Sequence, residues 1–153
     1  MAVTERIRPN ATRPEVAPAL FRLLAEASLS RAALDACGTP MALADAASAS
    51  RSLSYVNQAF EAFFGYRAAE ALGRPAATLL LREPQDAESL FREPAAPRTL
   101  RARRKDGSEV HVEVSVGVIR ASDGIVTHWV LSFADCSELE LLRDRLNALR
   151  AAG

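Results

Sequence analysis

Cysteine is scarce in this chain and a surplus of either charge is missing altogether. Of 153 residues only Cys37 and Cys136 are cysteines. They lie far apart without metal-ligand spacing, and two thiols do not make a disulfide framework, so both read as structural or incidental. Lys and Arg number 19 and Asp and Glu number 19, so the formal net charge is zero. No basic field advertises nucleic acid or an anionic membrane. No apolar run is long enough to span a bilayer, and the first residues mix Arg, Thr and Pro without the hydrophobic centre of a secretion signal. The expected location is therefore cytoplasmic, with neither nucleic acid nor membrane as a partner. His111 and His128 have no second ligand at metal spacing, and no haem or metal is expected. A nucleophile with its base, a carboxylate pair and a glycine-rich phosphate loop are all lacking, so the expectation is that the protein is not an enzyme.

What is present is organised around Ser52 to Leu81. An apolar strand stops at Asn57 and becomes a helix at once, with Phe60, Phe63 and Phe64 at helical spacing and Gly65 as its stop. Ala68 to Leu72 begin a second short helix that Gly73 closes, and Pro75 to Leu81 read as a further helical turn opened by its proline. Asp86 to Phe91 is another short helix candidate, followed by an extended linker imposed by Pro94 and Pro97. Ahead of this stretch, residues 1–14 read as disordered or extended. Residues 15–33 read as a helical arm, with Leu20, Leu23, Leu24 and Ala27 on one face of a helix over Glu15 to Leu29. Ser30 is placed as the N-cap of a second segment, Arg31 to Cys37, which Gly38 and Pro40 end. The arm is expected to be helix, break, helix.

Met41 to Asp45 and Leu53 to Val56 read as the first two strands. Three more are expected over Thr99 to Arg104, Glu109 to Arg120 and Ile125 to Phe133, with hairpin turns at Asp106-Gly107 and Ser122-Asp123-Gly124. In the longest strand Val110, Val112, Val114, Val116 and Val118 alternate with His111, Glu113, Ser115 and Gly117, which predicts one buried face. Arg101, Arg103, Arg104 and Lys105 form the basic cluster, read as a solvated edge that resists edge-to-edge pairing. Asp135 is placed to cap a final amphipathic helix over residues 138–153, in which Leu139, Leu142, Leu146 and Leu149 follow a three-four-three spacing.

Taken in order, two strands, several short helices, three strands and an exit helix resemble the PAS fold over residues 34–137. The class is α+β: a five-stranded antiparallel sheet with short helices on one face. Within that family the pattern is most similar to the light-oxygen-voltage flavin photosensors. Tyr55-Val56-Asn57, Phe60, Gly65-Tyr66, Glu70 and Gly73 look like their strand-to-helix signature. Lys105-Asp106-Gly107 resembles a recurrent hairpin, and Asp135-Cys136-Ser137-Glu138 resembles the signature at the domain exit. The resemblance also implies an ion pair between Glu70 and Lys105. It does not extend to the photochemistry. Against the reactive Gly-Arg-Asn-Cys-Arg-Phe-Leu-Gln box this chain has Gly73-Arg74-Pro75-Ala76-Ala77-Thr78-Leu79-Leu80, so Ala76 stands where the thiol would be. Pro75, Ala77 and Leu80 replace the asparagine, the phosphate-binding arginine and the glutamine. Two further flavin-contacting asparagines align with Ala102 and Val112, and the glutamine that relays flavin protonation aligns with Phe133.

An isoalloxazine carries several polar atoms into its pocket, and each left unpaired costs on the order of 1 to 3 kcal/mol. No cofactor is therefore expected, and flavin is disfavoured. The expected pocket, set by Phe60, Ala76, Leu80, Ala102, Val112, Val114, Leu131 and Phe133, is either filled by side chains or lined for a small apolar ligand. The terminal helices, through Leu20, Leu23, Leu24, Leu142, Leu146 and Leu149, are expected to bury their leucines in a homodimer or on a separate signalling protein. The function these features imply is a PAS-type signalling and interaction module without photochemistry or a catalytic output domain. The alternatives are a sensor of an apolar small molecule and a flavin redox sensor lacking the photochemical cysteine.

Overall fold

The computed structural model describes residues 13–83, 90–92 and 96–152, and for 13–18 the backbone alone. Most of the expected helix over 86–91, the linker proline at 94 and residues 1–12 lie outside that range. The chain divides into two units, residues 1–35 and 36–153. The described residues of the first lie in one helix, α1, Arg13–Ala36. Arg13 and Pro14 therefore belong to the helix, and Ser30 is not a break: its hydroxyl donates to the Glu26 carbonyl at 2.9 Å, four residues back. In a helix that runs on without interruption no orphan N–H is left for a cap to serve, and the serine hydroxyl turns back on the helix instead. Nor is α1 amphipathic as expected. Phe21 and Leu29 lie off the face of Leu20, Leu23 and Leu24, and all five are exposed, so apolar residues surround the helix instead of forming one stripe.

The second unit runs β1 (Met41–Asp45), β2 (Leu53–Val56), α2 (Gln58–Phe64), α3 (Ala68–Ala71), α4 (Ala76–Leu80), β3 (Arg98–Arg103), β4 (Glu109–Arg120), β5 (Val126–Asp135) and α5 (Ser137–Ala152). The five strands form one antiparallel sheet in the order β2-β1-β5-β4-β3. β3 ends one residue earlier than expected, because Arg104 enters the hairpin turn and its N–H bonds the Ser108 carbonyl at 2.9 Å. β5 runs two residues further than expected, because Ala134 and Asp135 still pair with Glu113 and Val112 of β4.

The period of two decides what the sheet presents to the helices. Ala42 and Ala44 of β1, Val110, Val112 and Val114 of β4, and Trp129, Leu131 and Phe133 of β5 are buried, and the register places Ala42 beside Leu131 and Phe133 beside Val114. Val116 and Val118 continue the same face but are only partly covered. Over this face lie α2 with Phe60 and Phe64, α3 with Ala71, and α4 with Ala76, Leu79 and Leu80, all buried. His111 and His128 fall on the opposite face with Arg101 and Ile119 as their register partners.

Asn57 sets the passage from sheet to helical layer. It is completely buried and is the one buried polar residue among those described. Its backbone is extended, at φ −91° and ψ 175°, as an N-cap requires. Its side-chain oxygen accepts from Phe60 N–H and from Met41 N–H, both at 2.9 Å, and its amide donates to the Thr39 carbonyl at 2.9 Å. Its own N–H bonds the Met41 carbonyl at 3.1 Å. At the other end of α2, Gly65 takes φ 83°, a left-handed conformation that costs glycine little, and returns its N–H to the Glu61 carbonyl.

Replacing Asn57 with alanine removes the helix cap and orphans the Met41 N–H and the Thr39 carbonyl. A loss of about 3 kcal/mol is expected. Urea denaturation followed by circular dichroism measures it, and a loss below about 1 kcal/mol would refute the assigned bonding role.

Candidate functional site

The eight residues expected to line a pocket come from α2, α4, β3, β4 and β5, and the fold brings them together. Phe60, Ala76, Leu80, Ala102, Val112, Val114, Leu131 and Phe133 all belong to one buried core, none more than 3% exposed. Their side chains carry no polar atom. α4 supplies Ala76 and Leu80 because a short helix over the sheet turns those positions inward, while Ala77, one residue on, is only partly buried.

The centre of this core is aromatic. Phe64 lies 4.7 Å from Phe60 and 5.0 Å from Phe133 between ring centroids, with Phe133 edge-on to Phe64, and Phe60 and Phe133 are 6.1 Å apart. These are the offset and edge-to-face separations at which aromatic pairs attract. Phe133 therefore has two ring partners, which the sequence reading did not anticipate. Phe64 is absent from the expected lining although it is completely buried. Its i, i+4 relation to Phe60 was the available signal. Of three clefts found among the described residues, one of about 520 Å³ between α2 and the ends of β1 and β5 touches Phe133. The other two, each about 460 Å³, touch none of the eight.

Around this core the charged groups sit outside. Lys105 Nζ reaches Glu70 Oε1 at 2.6 Å, joining the β3–β4 hairpin to α3 across the surface. The second oxygen, Oε2, accepts the Arg67 N–H at 2.9 Å and so caps α3. The Lys105 hydrogen bond, and then the one from Arg67, hold the Glu70 carboxyl below its ordinary value of 4.5. Arg104 stacks over Phe63 at 4.9 Å and donates to the Phe63 carbonyl, so part of the basic cluster anchors the end of α2 instead of standing free as a solvated edge. Cys136 is partly buried at the end of β5, and desolvation, reinforced by nearby Glu140, Asp135 and Glu113, pushes its thiol above the ordinary value. A thiol so held is mostly protonated at neutral pH and a poor nucleophile.

The exit helix stands on β4. The Cys136 N–H bonds the His111 carbonyl at 2.9 Å, the His111 N–H bonds Ser137 Oγ at 3.1 Å, and Asp135 Oδ1 accepts the Ser137 N–H at 2.9 Å. Beyond that anchor α5 has no buried residue. Leu139, Leu142, Leu146 and Leu149 are 50%, 52%, 48% and 70% exposed, with Leu141 beside them. On α1, Leu20, Leu23 and Leu24 are exposed as well. Among the described residues no helix is long and apolar enough to cross a membrane, and no cluster of ligating side chains suits a metal ion.

Comparison with known proteins places this architecture. A family model described as PAS domain matches residues 40–138. No match was found among curated proteins. Among solved structures the chain is similar to an RNA-binding light-oxygen-voltage receptor, with 28% identity and a TM-score of 0.73, covering 84% of this chain and 38% of that one. It therefore spans well under half the length of that receptor. It is also similar to a light-oxygen-voltage domain studied with a flavin analogue, with 22% identity and a TM-score of 0.59 over 72% of this chain and 88% of that one. A third neighbour is the PAS domain of the fruit-fly ELK potassium channel, with 14% identity and a TM-score of 0.62 over 72% of this chain and 96% of that one. No enzyme family is indicated.

Two outcomes test this geometry. Lys105→Ala is expected to move the Glu70 carboxyl up toward 4.5, with the Arg67 bond retaining part of the depression. Because the folded value is lowered, the associated stability is present above 4.5 and fades as pH falls through the folded value, and the variant should lose less on acidification. Carboxyl-detected NMR titration reads the shift directly. Phe133→Gln trades two ring contacts for a buried amide without a partner and is expected to cost about 3 to 4 kcal/mol by chemical denaturation. A neutral result would mean that a polar group is accommodated there.

Proposed function

The chain belongs to the PAS domain family of signalling and sensor modules, and we propose that it acts as a cytoplasmic homodimer without photochemistry, passing its signal by association through its terminal helices. The observation that carries this reading is the leucine stripe of α5, left without cover in a single copy. The three-four-three spacing of Leu139, Leu142, Leu146 and Leu149 is that of a helix seam, and each leucine has about 1 kcal/mol still to gain from burial. A second copy supplies the same stripe by symmetry. Leu20, Leu23 and Leu24 of α1 add apolar surface that such an assembly, or a separate signalling protein, would cover.

The core supports the second half of the proposal. A flavin ring needs hydrogen-bonding partners along its polar edge, and the positions that supply them in light-oxygen-voltage domains hold Leu80, Ala102, Val112 and Phe133 here, each buried and without polar side-chain atoms. The residues do not fit the group. In addition Ala76 stands in α4 at the photochemical position, and the two cysteines lie at 37 and 136, far from it in sequence. A second reading, a sensor of a small apolar ligand, rests on the same apolar lining and on the cleft of about 520 Å³ that reaches Phe133. RNA binding, named for one neighbour, is not carried over, since the chain has a formal net charge of zero.

Size-exclusion chromatography with light scattering is expected to give a colourless dimer at micromolar concentration. The double substitution Leu142→Ser/Leu146→Ser should weaken it by at least about 100-fold with the circular dichroism of the sheet unchanged. A clean monomer of the unaltered protein would end the homodimer proposal. A flavin absorbance band in the blue would end the non-photochemical one, and a lipid-like mass retained in native mass spectrometry would move the assignment to the apolar-ligand sensor.

A further inference from the structure

We propose that the cleft between the β1–β2 turn and α4 binds a small organic carboxylate, with the Arg51 guanidinium as its charge partner. Arg51 is the only non-glycine residue with positive φ among those described, at 53°. A long side chain in that conformation carries backbone strain that glycine or asparagine would avoid. The turn itself asks only for a backbone bond, which the Arg51 N–H makes to the Ser48 carbonyl at 3.1 Å. Any residue could donate that bond, so the turn gives no reason for arginine.

The side chain does. Its guanidinium carbon lies 5.8 Å from the Phe91 ring and 5.9 Å from the Trp129 ring, and those rings are packed edge-on 5.7 Å apart. This aromatic corner fixes the guanidinium plane in advance of any ligand. Among the described residues its single side-chain hydrogen bond runs from Nη1 to the Ser48 carbonyl, Nε is buried without a partner, and no carboxylate pairs with it. A half-buried cation with donors to spare and, among the described residues, no counter-charge is suited to an anionic ligand.

The cleft beside it suits one ligand chemistry. Its volume is about 460 Å³, within the range of small-molecule sites. Pro75, Ala77 and Phe91 provide apolar walls, and Ser50 and Thr78 bring hydroxyls to the same lining as Arg51. Ser50 is held by hydrogen bonds to Ser48 at 3.0 Å and Ser52 at 3.1 Å, so its hydroxyl is positioned as well as the cation. One planar cation, a few hydroxyls and a greasy wall match a carboxylate on a short apolar body. A phosphate would bring up to two negative charges to a single positive one. The site lies outside the apolar core, on the partly buried side of α4 that carries Ala77 and not Ala76.

The test is calorimetric titration of the full chain with sodium benzoate and sodium hexanoate, with benzamide and inorganic phosphate as comparisons. At least one carboxylate is expected to bind saturably with a Kd no weaker than a few millimolar, and benzamide and phosphate each at least about tenfold more weakly. Arg51→Gly, which relieves the left-handed backbone, should stay folded and lose at least about tenfold in carboxylate affinity, and Arg51→Gln provides the same reading if the glycine variant does not fold. The proposal is overturned if neither carboxylate saturates, if benzamide or phosphate matches them, or if the Arg51 variants bind as well as the parent.

Discussion

One buried amide joins the two layers of this domain. Asn57 takes its hydrogen bonds from the segment before β1, from the first residue of β1 and from the first turn of α2, so three pieces of chain are fixed to one side chain. The bond to Phe60 is buried and those to Met41 and Thr39 are partly so, and breaking a buried one strands a donor or acceptor instead of exchanging it for solvent. Because the strand ends and the helix begins at that residue, the direction in which α2 leaves the sheet is determined there. The direction then decides that Phe60 and Phe64 meet Phe133 on β5.

That meeting explains why the interior has the character it does. A sheet with one covered face and a layer of short helices leaves a space that must be packed or filled by something bound. Here Phe60, Phe64 and Phe133 interlock in it, with Val112, Val114, Leu131 and Leu79 around them. Polar chemistry is displaced to the rim, where Glu70 meets Lys105, Arg104 meets the Phe63 carbonyl, and Arg51 is stacked on two rings.

The sheet was the most legible part of the chain. β1, β2 and β4 begin and end where the alternation and the turn residues put them, because a period of two with one buried face tolerates no slip. The ends of β3 and β5 were less so, since pairing with β4, not local composition, sets where they stop. Ser30 misled because a serine serves equally as a cap and as a donor to the carbonyl four residues back, and sequence does not say which. The apolar lining was readable one position at a time from the family pattern, whereas the ring contacts of Phe64 required knowing how α2 crosses β5. Arg51 carried no sequence signal at all: its left-handed backbone and its two ring partners, 40 and 78 positions further along the chain, exist only in the fold.

The junction between β5 and α5 is a single residue, Cys136, and it and the first residue of α5 are both tied to His111. So short a coupling leaves no slack in azimuth: the bearing of the leucine stripe around the helix axis is inherited from the twist of the last strand. Adding or deleting one residue there would swing the stripe by about 100°, while a full heptad inserted into the helix would return it nearly to its starting bearing. The domain thus sets a heading for whatever lies along that helix.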